Sequence, residues 1–383
     1  MKFFHLSDLH IGLKLINRDL GEDQRFILRE IVEKAEAEKP DAVLIAGDIY
    51  DKSVPSAEAV EIFDDFISGL RKAVPDAEIM MISGNHDSAP RVNLFRRILN
   101  RERIHMIGIP PQSEEDHVEQ VTLRDEYGAV HFYLLPFVRP SMVRNVIGVK
   151  EDGSGFSYDE TIHRLLDRED IDTRERNVLV SHQFYLPKGA DAADVERMDS
   201  EILTIGNIDR VTADVLQRFD YAALGHIHKP MRVGSEYARY CGTPMACSVS
   251  EAGQQKGIVE VNLGRKGERS VSILPLTPLR QIRIVRGDLE EVLRQGCDDY
   301  AVVTLTDIRE ADALDLQDRI RSAFPNLLEI RREGLPGADY QVEYTGEAVM
   351  DTYELCCSFL GNPDEGERSL LEDVINTVGE ELP

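Results

Sequence analysis

Three short apolar runs organise the first part of the chain: Lys2–Leu6, Ala42–Ala46 and Glu78–Ile82. Each is almost continuously hydrophobic, the pattern of a strand buried on both faces rather than a half-exposed one. The stretches between them change to a helical period. Residues 22–39 place Phe26, Ile27, Ile31, Val32 and Ala35 on one face, and Pro40 ends the pattern. Ser56 is a fitting N-cap with Glu58 in the first turn, and Ala59, Val60, Phe63, Phe66, Ile67 and Leu70 form a broad stripe running to about residue 72. Residues 90–99, with Leu94, Phe95 and Ile98 apolar, predict a further short helix. Strand and helix in strict alternation predict parallel βαβ units.

Beyond residue 100 the pattern becomes richer in β-structure. Residues 130–135, 178–181 and 221–224 read as strands, 157–167 as a helix, and 239–241, 257–261 and 270–274 as hairpin-like strands. Residues 188–200 are small and charged, the composition of a loop. The fold class expected for residues 1–275 is therefore α/β, a two-sheet β-sandwich with flanking helices. At 275–279, PLTPL, the composition shifts. Residues 280–286, 288–294, 300–305, 310–324 and 328–332 then spell a small β-α-β-α-β unit, placed at 276–345. Segments 347–360 and 367–382 predict a C-terminal helix-loop-helix over 346–383. Its apolar positions suit docking on a partner as well as folding back on its own domain.

Length and composition narrow the class. A chain of 383 residues can hold two or three domains, and 42% hydrophobic with 30% charged residues is globular usage. No apolar run is long enough to span a bilayer, and Asp8 interrupts the N-terminal run too early for a secretory signal. The five cysteines, Cys241, Cys247, Cys297, Cys356 and Cys357, include no C-x-x-C pair, which fits a reduced cytoplasmic protein. The net charge of −26 is concentrated at the end, with residues 281–383 contributing −15 and the first 280 only −11. Two bound divalent cations would invert the local field of an acidic site, so the total does not exclude a polyanionic substrate.

The candidate chemistry lies just past the strands. Asp8 and His10, Asp48, Asn85 and His86, His182, and His226 with His228 come from five separate loops, each at a predicted strand end. Open α/β sheets build their sites there. Carboxylate, imidazole and amide donors without cysteine suit Mn²⁺, Fe²⁺ or Zn²⁺. One carboxylate shared by two cations would set them roughly 3.5–4 Å apart, the arrangement that activates water and clamps a phosphoryl group. In Asp-x-His and His-x-His, the period of two in an extended segment lets both side chains enter one site. Asp87 reads as an orienting group that accepts the His86 imidazole N–H. Arg91 reads equally as a phosphate contact or a solvated helix charge. His5, His105, His117, His131 and His163 read as core or surface residues.

The segments DLHIG (8–12), GDIYDKSVP (47–55), SGNHDS (83–88), SHQFY (181–185), GHIHKP (225–230) and YCGTP (240–244) resemble those of the calcineurin-like metallophosphoesterases. Within that family they resemble the branch of SbcD-type nuclease subunits. The resemblance implies one metal held by Asp8, His10, Asp48 and His228, and a second held by Asp48, Asn85, His182 and His226. His86 would then be the catalytic residue, stabilising the transition state or protonating the leaving oxygen. It further implies Mn²⁺ cofactors, DNA ends, hairpins and single strands as substrates, and exonuclease and endonuclease action in DNA repair and recombination. Homodimers through residues 56–72 and 90–99 would also follow, with residues 276–345 as a capping domain and the last helices bound to an SbcC-type coiled-coil ATPase. A nucleoid-associated cytoplasmic location follows from that role. Asp51 departs from relatives that carry histidine there, and cannot serve as a cationic phosphate contact. The alternative is a phosphoesterase of the same fold acting on a nucleotide, cyclic nucleotide or phosphoprotein.

Overall fold

Strands that are apolar on both faces must be covered on both, and the structure covers them. Lys2–Leu6, Ala42–Ala46, Glu78–Ile82 and Ile104–Ile107 pair in parallel, and the antiparallel hairpin Gly257–Leu263 with Arg269–Pro275 extends the sheet beyond Lys2–Leu6. A second six-stranded sheet runs Met231–Val233, Ser235–Tyr240, Tyr221–Gly225, Arg176–His182, Gly128–Leu135, Glu119–Asp125. This computed structural model describes residues 1–190, 209–306 and 313–332, with Met198 and a few positions between 357 and 371.

The sheets stack through Phe3, Leu44, Met80, Ile82, Phe132, Val178, Val180 and Tyr221. Phe3 meets Phe132 and Tyr221 edge-on at 5.6 and 5.7 Å between ring centroids, as ring quadrupoles favour. Phe4, Val43 and Ile45 point the other way, against Ile27 and Ile31 of the Gly21–Glu38 helix and Phe66 and Leu70 of the Ala57–Ala73 helix. The outer face of the second sheet packs Leu135, Leu179 and Leu224 on Ile162 and Leu165 of the Tyr158–Asp167 helix. The expected two-sheet sandwich with flanking helices is the observed fold.

Three local expectations change. Phe95 adopts a left-handed backbone, φ 58°, which breaks residues 90–99 into Ala89–Val92 and Arg96–Leu99. Leu94, Phe95 and Ile98 then lie exposed at 57%, 66% and 62% rather than packed inward. Phe26 and Val60 sit at the margins of their helical stripes and are also exposed. Two strands carry too weak a pattern to be read: Ile104–Ile107 is short, and Glu119–Asp125 is a half-buried edge strand with only Val121 and Leu123 apolar.

Past residue 280, Ile282–Gly287, Tyr300–Leu305 and Leu327–Arg332 form a separate parallel sheet, with helices Leu289–Leu293 and Ala313–Ala323 beside them. Their core is Val285, Val292, Val303, Ile320 and Phe324. The unit meets the sandwich through Asp23, whose Oδ2 accepts from Arg280 Nη1 and Tyr300 Oη, both at 2.8 Å. The expected helices at 347–360 and 367–382, and most of the loop at 188–200, lie outside the described residues.

Arg176 joins the two sheets. Its side chain is 3% exposed and donates to Asp125 at 2.5 and 2.9 Å, to Gly128 O at 2.8 Å, and to Gly264 O at 2.9 Å in the other sheet's hairpin. That hydrogen-bonded contact holds the Asp125 carboxyl well below the usual carboxylate range. Arg176→Ala takes the guanidinium from a carboxylate that is 12% exposed and leaves it the N-terminal ammonium of Met1 at 3.0 Å, and is expected to cost about 3 kcal/mol in urea unfolding at pH 7. An unfolded aspartate titrates near about 3.9, so the clamp contributes fully above that pH. The gap between variant and wild type should therefore narrow as the pH falls towards about 2. An equal gap at all pH values would contradict this.

Candidate metal centre

Within each sheet the parallel strands bring their C-terminal ends to one edge, and five loops leave from it carrying the predicted residues. Local backbone conformation there is costly. Asp8, His10, Asp48 and His226 have φ of 53°, 42°, 48° and 107°. A left-handed backbone costs a residue with a Cβ about 1–3 kcal/mol and persists only where the surroundings over-determine it. Here they do. Asp8 N donates to Gly47 O at 2.9 Å, His10 N to Asp48 O at 3.1 Å, and His226 N to Asp8 Oδ1 at 3.1 Å. Gln24 Nε2 donates to His10 O at 2.7 Å, and its Oε1 accepts from Gly12 N at 2.9 Å. Two glycines permit the close approach: a Cβ on Gly84 would stand 2.1 Å from Asp48 Oδ1, and one on Gly225 would stand 2.0 Å from Ala46 O.

The side chains converge on Asp48. Its Oδ2 lies 3.3 Å from His182 Nε2, 3.7 Å from His10 Nε2 and 4.0 Å from His86 Nε2. His10 Nε2 and His228 Nε2 approach to 3.0 Å. Asn85 Oδ1 lies 3.0 Å from both His182 Nε2 and His226 Nδ1. Asp8, His10 and His228 form one group able to hold a cation; Asp8, Asp48 and His182 form another, and His10, Asp48 and His86 a third. The far ring nitrogens face outward: His182 Nδ1 to Ala46 O at 2.7 Å, His228 Nδ1 to Glu251 Oε1 at 3.5 Å, His226 Nε2 to Asp209 Oδ2 at 3.9 Å. His10 Nδ1 is buried without a hydrogen-bond partner, with Asp51 Oδ1 at 4.0 Å. Acceptor atoms turned on one another in a buried cluster of hard and borderline donors fit divalent cations.

Electrostatics agree. Burial raises Asp8, and it lowers His10 well below the ordinary imidazole value, assisted by His228. Burial opposes the charge on Asp48 as well, yet the imidazoles led by His182 hold its carboxyl well below the usual range. Burial would lower His182, but Asp48 and then Asp8 outweigh it and hold the ring up to about 9. Burial pushes His5, also fully buried, down to about 3, and it bonds Tyr221 Oη at 2.9 Å as a core residue.

Asp87 does not accept the His86 imidazole N–H. Its carboxylate takes three backbone N–H groups, Ile49 and Tyr50 at 3.0 Å and Gly84 at 2.9 Å, and so ties two loops together. Burial and Asp48 push it up to about 6 despite those bonds. The His86 ring is fixed by its neighbour across the site, with Nδ1 2.9 Å from the Asp51 carbonyl. Arg91 is exposed on the Ala89–Val92 helix. Gln24, Asp209 and Glu251 were invisible in the sequence as site residues, because each is an isolated polar residue with no motif around it.

Residues 1–230 match the family model for calcineurin-like phosphoesterases. The chain belongs to that family. Its members hydrolyse phosphoesters, and this chain carries the divalent-metal chemistry for it at the strand ends. Residues 276–354 match a second model, described as the type 5 capsule protein repressor C-terminal domain. The chain is 29% identical over 337 residues to the SbcD subunit of the nuclease SbcCD from Staphylococcus epidermidis, covering 86% of this chain and 85% of that protein. Among solved structures it is similar to a dimetal phosphatase from Danio rerio, at 14% identity and a TM-score of 0.40, covering 71% of this chain and 95% of that one. It is also similar to TT1561 of Thermus thermophilus, at 12% identity and a TM-score of 0.39, covering 71% and 98%.

A metal-binding imidazole must be neutral, and His182 without metal keeps its proton up to about 9. Loading the phosphoesterase centre at pH 7 should therefore expel at least about one proton, and affinity should rise roughly tenfold per pH unit until it levels near 9. Calorimetry of Mn²⁺ binding in two buffers of different ionisation enthalpy measures the release. Binding with no proton released would contradict the placement of His182.

Proposed function

We propose that the protein is a two-metal DNA nuclease of the SbcD type. It would act on duplex ends as an exonuclease and on hairpins and single strands as an endonuclease. Its partner would be an SbcC-type ATPase in DNA repair and recombination. The observation that carries the reading is the single carboxylate of Asp48, 2% exposed and approached by His10, His86 and His182 from three other loops. In this reading Asp48 bridges, with Asp8, His10 and His228 on one side and Asn85, His182 and His226 on the other. Two divalent cations of the Mn²⁺ type, when bound, supply Lewis-acid activation of water and charge stabilisation at the phosphoryl centre.

The chain's own residues do the rest. His86 is more open than the ligands, with a side chain 14% exposed. Its Nδ1 is anchored on the Asp51 carbonyl, which leaves Nε2 turned to the centre. In this reading Nε2 is the atom that hands a proton to the leaving 3′ oxygen. Asp51 itself contributes its carbonyl here, and its carboxylate faces His10 rather than a phosphate. Arg91 belongs to the solvent side, where it can meet a DNA backbone.

Residues 1–275 form the nuclease domain in this reading, 276–345 the capping domain and 346–383 the SbcC-binding segment. The similarity to the Staphylococcus epidermidis protein supports the DNA substrate and the partner. The exposed Val60, Leu94, Phe95 and Ile98 support a homodimer through the Ala57–Ala73 helix and residues 89–99. No helix among the described residues is long and apolar enough to cross a membrane, in keeping with a cytoplasmic, nucleoid-associated enzyme.

The test is Mn²⁺-dependent cleavage of a labelled hairpin duplex. His86→Ala should reduce the rate by roughly 10²–10⁴-fold, the range for a lost general acid, with metal content unchanged. Robust hydrolysis of a cyclic nucleotide with DNA left intact would favour the alternative phosphoesterase reading.

A further inference from the structure

His228 is held from behind by a buried polar group that lies outside both matched regions. Residues 231–275 fall between the two family matches, and within them the short helix Val249–Glu251 turns Glu251 inward. Its side chain is 0% exposed. Oε1 faces His228 Nδ1 at 3.5 Å and accepts from Ser248 Oγ at 3.1 Å. Oε2 accepts from Thr243 Oγ1 at 2.9 Å and Lys256 Nζ at 2.6 Å. Lys256 Nζ also donates to the main-chain carbonyl of His228 at 2.9 Å and to Gln254 Oε1 at 2.9 Å. Glu251 and Lys256 therefore grip His228 at both its ring and its backbone.

We propose that Glu251 is a positioning residue for the metal centre: it keeps the proton of His228 on Nδ1, so that Nε2 presents a lone pair to the cation. The inference rests on His228 being a ligand, as proposed above. Three observations support it. The Nε2 end of the ring points into the cluster, 3.0 Å from His10 Nε2. The group facing Nδ1 is an acceptor whose other lone pairs are already saturated by a lysine and two hydroxyls, so it has no competing geometry. A buried carboxylate paired with a buried lysine is costly to maintain for packing alone. An outer carboxylate on a ligating histidine fixes its tautomer and ring orientation, and its loss weakens metal binding by typically about 10–100-fold.

Glu251→Gln is the informative change because it keeps the shape. With Lys256 claiming the amide oxygen, the amide nitrogen is turned to His228 Nδ1 as a donor. That drives the imidazole proton to Nε2, the end that must bind metal. Thr243→Val removes one donor to Glu251 and leaves His228 untouched. Mn²⁺ is titrated into the metal-free full-length chain by calorimetry, with circular dichroism as the check on folding and His228→Ala as the reference. His228→Ala should abolish one of the two binding steps. Glu251→Gln should weaken that same step about 10–100-fold and leave the other within about threefold; Thr243→Val should weaken the same step by several-fold. A folded Glu251→Gln protein with wild-type affinities overturns the inference, as does equal weakening of both steps, the mark of a merely structural role. If Glu251→Gln fails to fold, Thr243→Val decides: unchanged affinities overturn the inference. If His228→Ala itself leaves both steps intact, the ligand reading fails, a result distinct from failure of Glu251 alone.

Discussion

A carboxylate that is 2% exposed, with three imidazoles within 4.0 Å of it, cannot be left to chance packing. Around Asp48 the chain has removed water from a set of groups that water would otherwise solvate. The rest of the structure can be understood as what makes that tolerable. Two sheets with apolar faces lock five strand ends at fixed positions. Gly84 and Gly225 let those ends approach to distances a side chain would forbid. Left-handed backbone at Asp8, His10, Asp48 and His226 aims the donors inward, and a lattice of backbone hydrogen bonds between loops holds that conformation. Asp87 adds a side-chain tie, accepting three amide donors from two loops.

Much of this was legible in the sequence because it is written in local pattern. Continuous apolar runs ending in Asp, His or Asn announce both a buried parallel strand and the polar loop after it, so those strands, the flanking helices and the seven candidate donors could be located. The parts that were not legible depend on distant partners. Glu251 ends a one-turn helix too short to show a period, and only the fold brings it to His228. Asp87 has the chemistry to orient His86, and sequence adjacency favoured that pairing. The folded loop instead satisfies it with amides of residues 49 and 50, while the Asp51 carbonyl takes the imidazole. Phe95 illustrates another limit: a run with helical spacing was broken by one residue in a conformation that its type rarely adopts. Edge strand Glu119–Asp125 shows a third, since its alternation rests on only two apolar residues, Val121 and Leu123, with charged residues at both ends.

The small C-terminal sheet is joined to the sandwich at the start of the Gly21–Glu38 helix. Asp23 receives Arg280 and Tyr300 from the C-terminal side, and Gln24, the next residue, holds the His10 carbonyl. One helical turn is therefore shared between the inter-domain contact and the loop that carries a candidate ligand. Arg280 pairs with Asp23 at 2.8 Å and with Glu22 at 2.7 Å, so two carboxylates at the start of the Gly21–Glu38 helix share one guanidinium at this junction.

The close contacts at Gly84 and Gly225 bear on how such a site can change over evolutionary time. Neither glycine offers a donor, yet any replacement would push a carbon into Asp48 or into the Ala46 carbonyl. These positions are as immutable as the donors themselves while contributing no chemistry. A descendant could change residues on the open side of the site by single steps and leave the donor cluster in place. A change at either glycine would instead disturb the crossing point of the strands and the whole donor cluster at once. Loss of activity in this lineage should therefore leave behind intact glycines around a silenced centre, a fossil more durable than the function it once served.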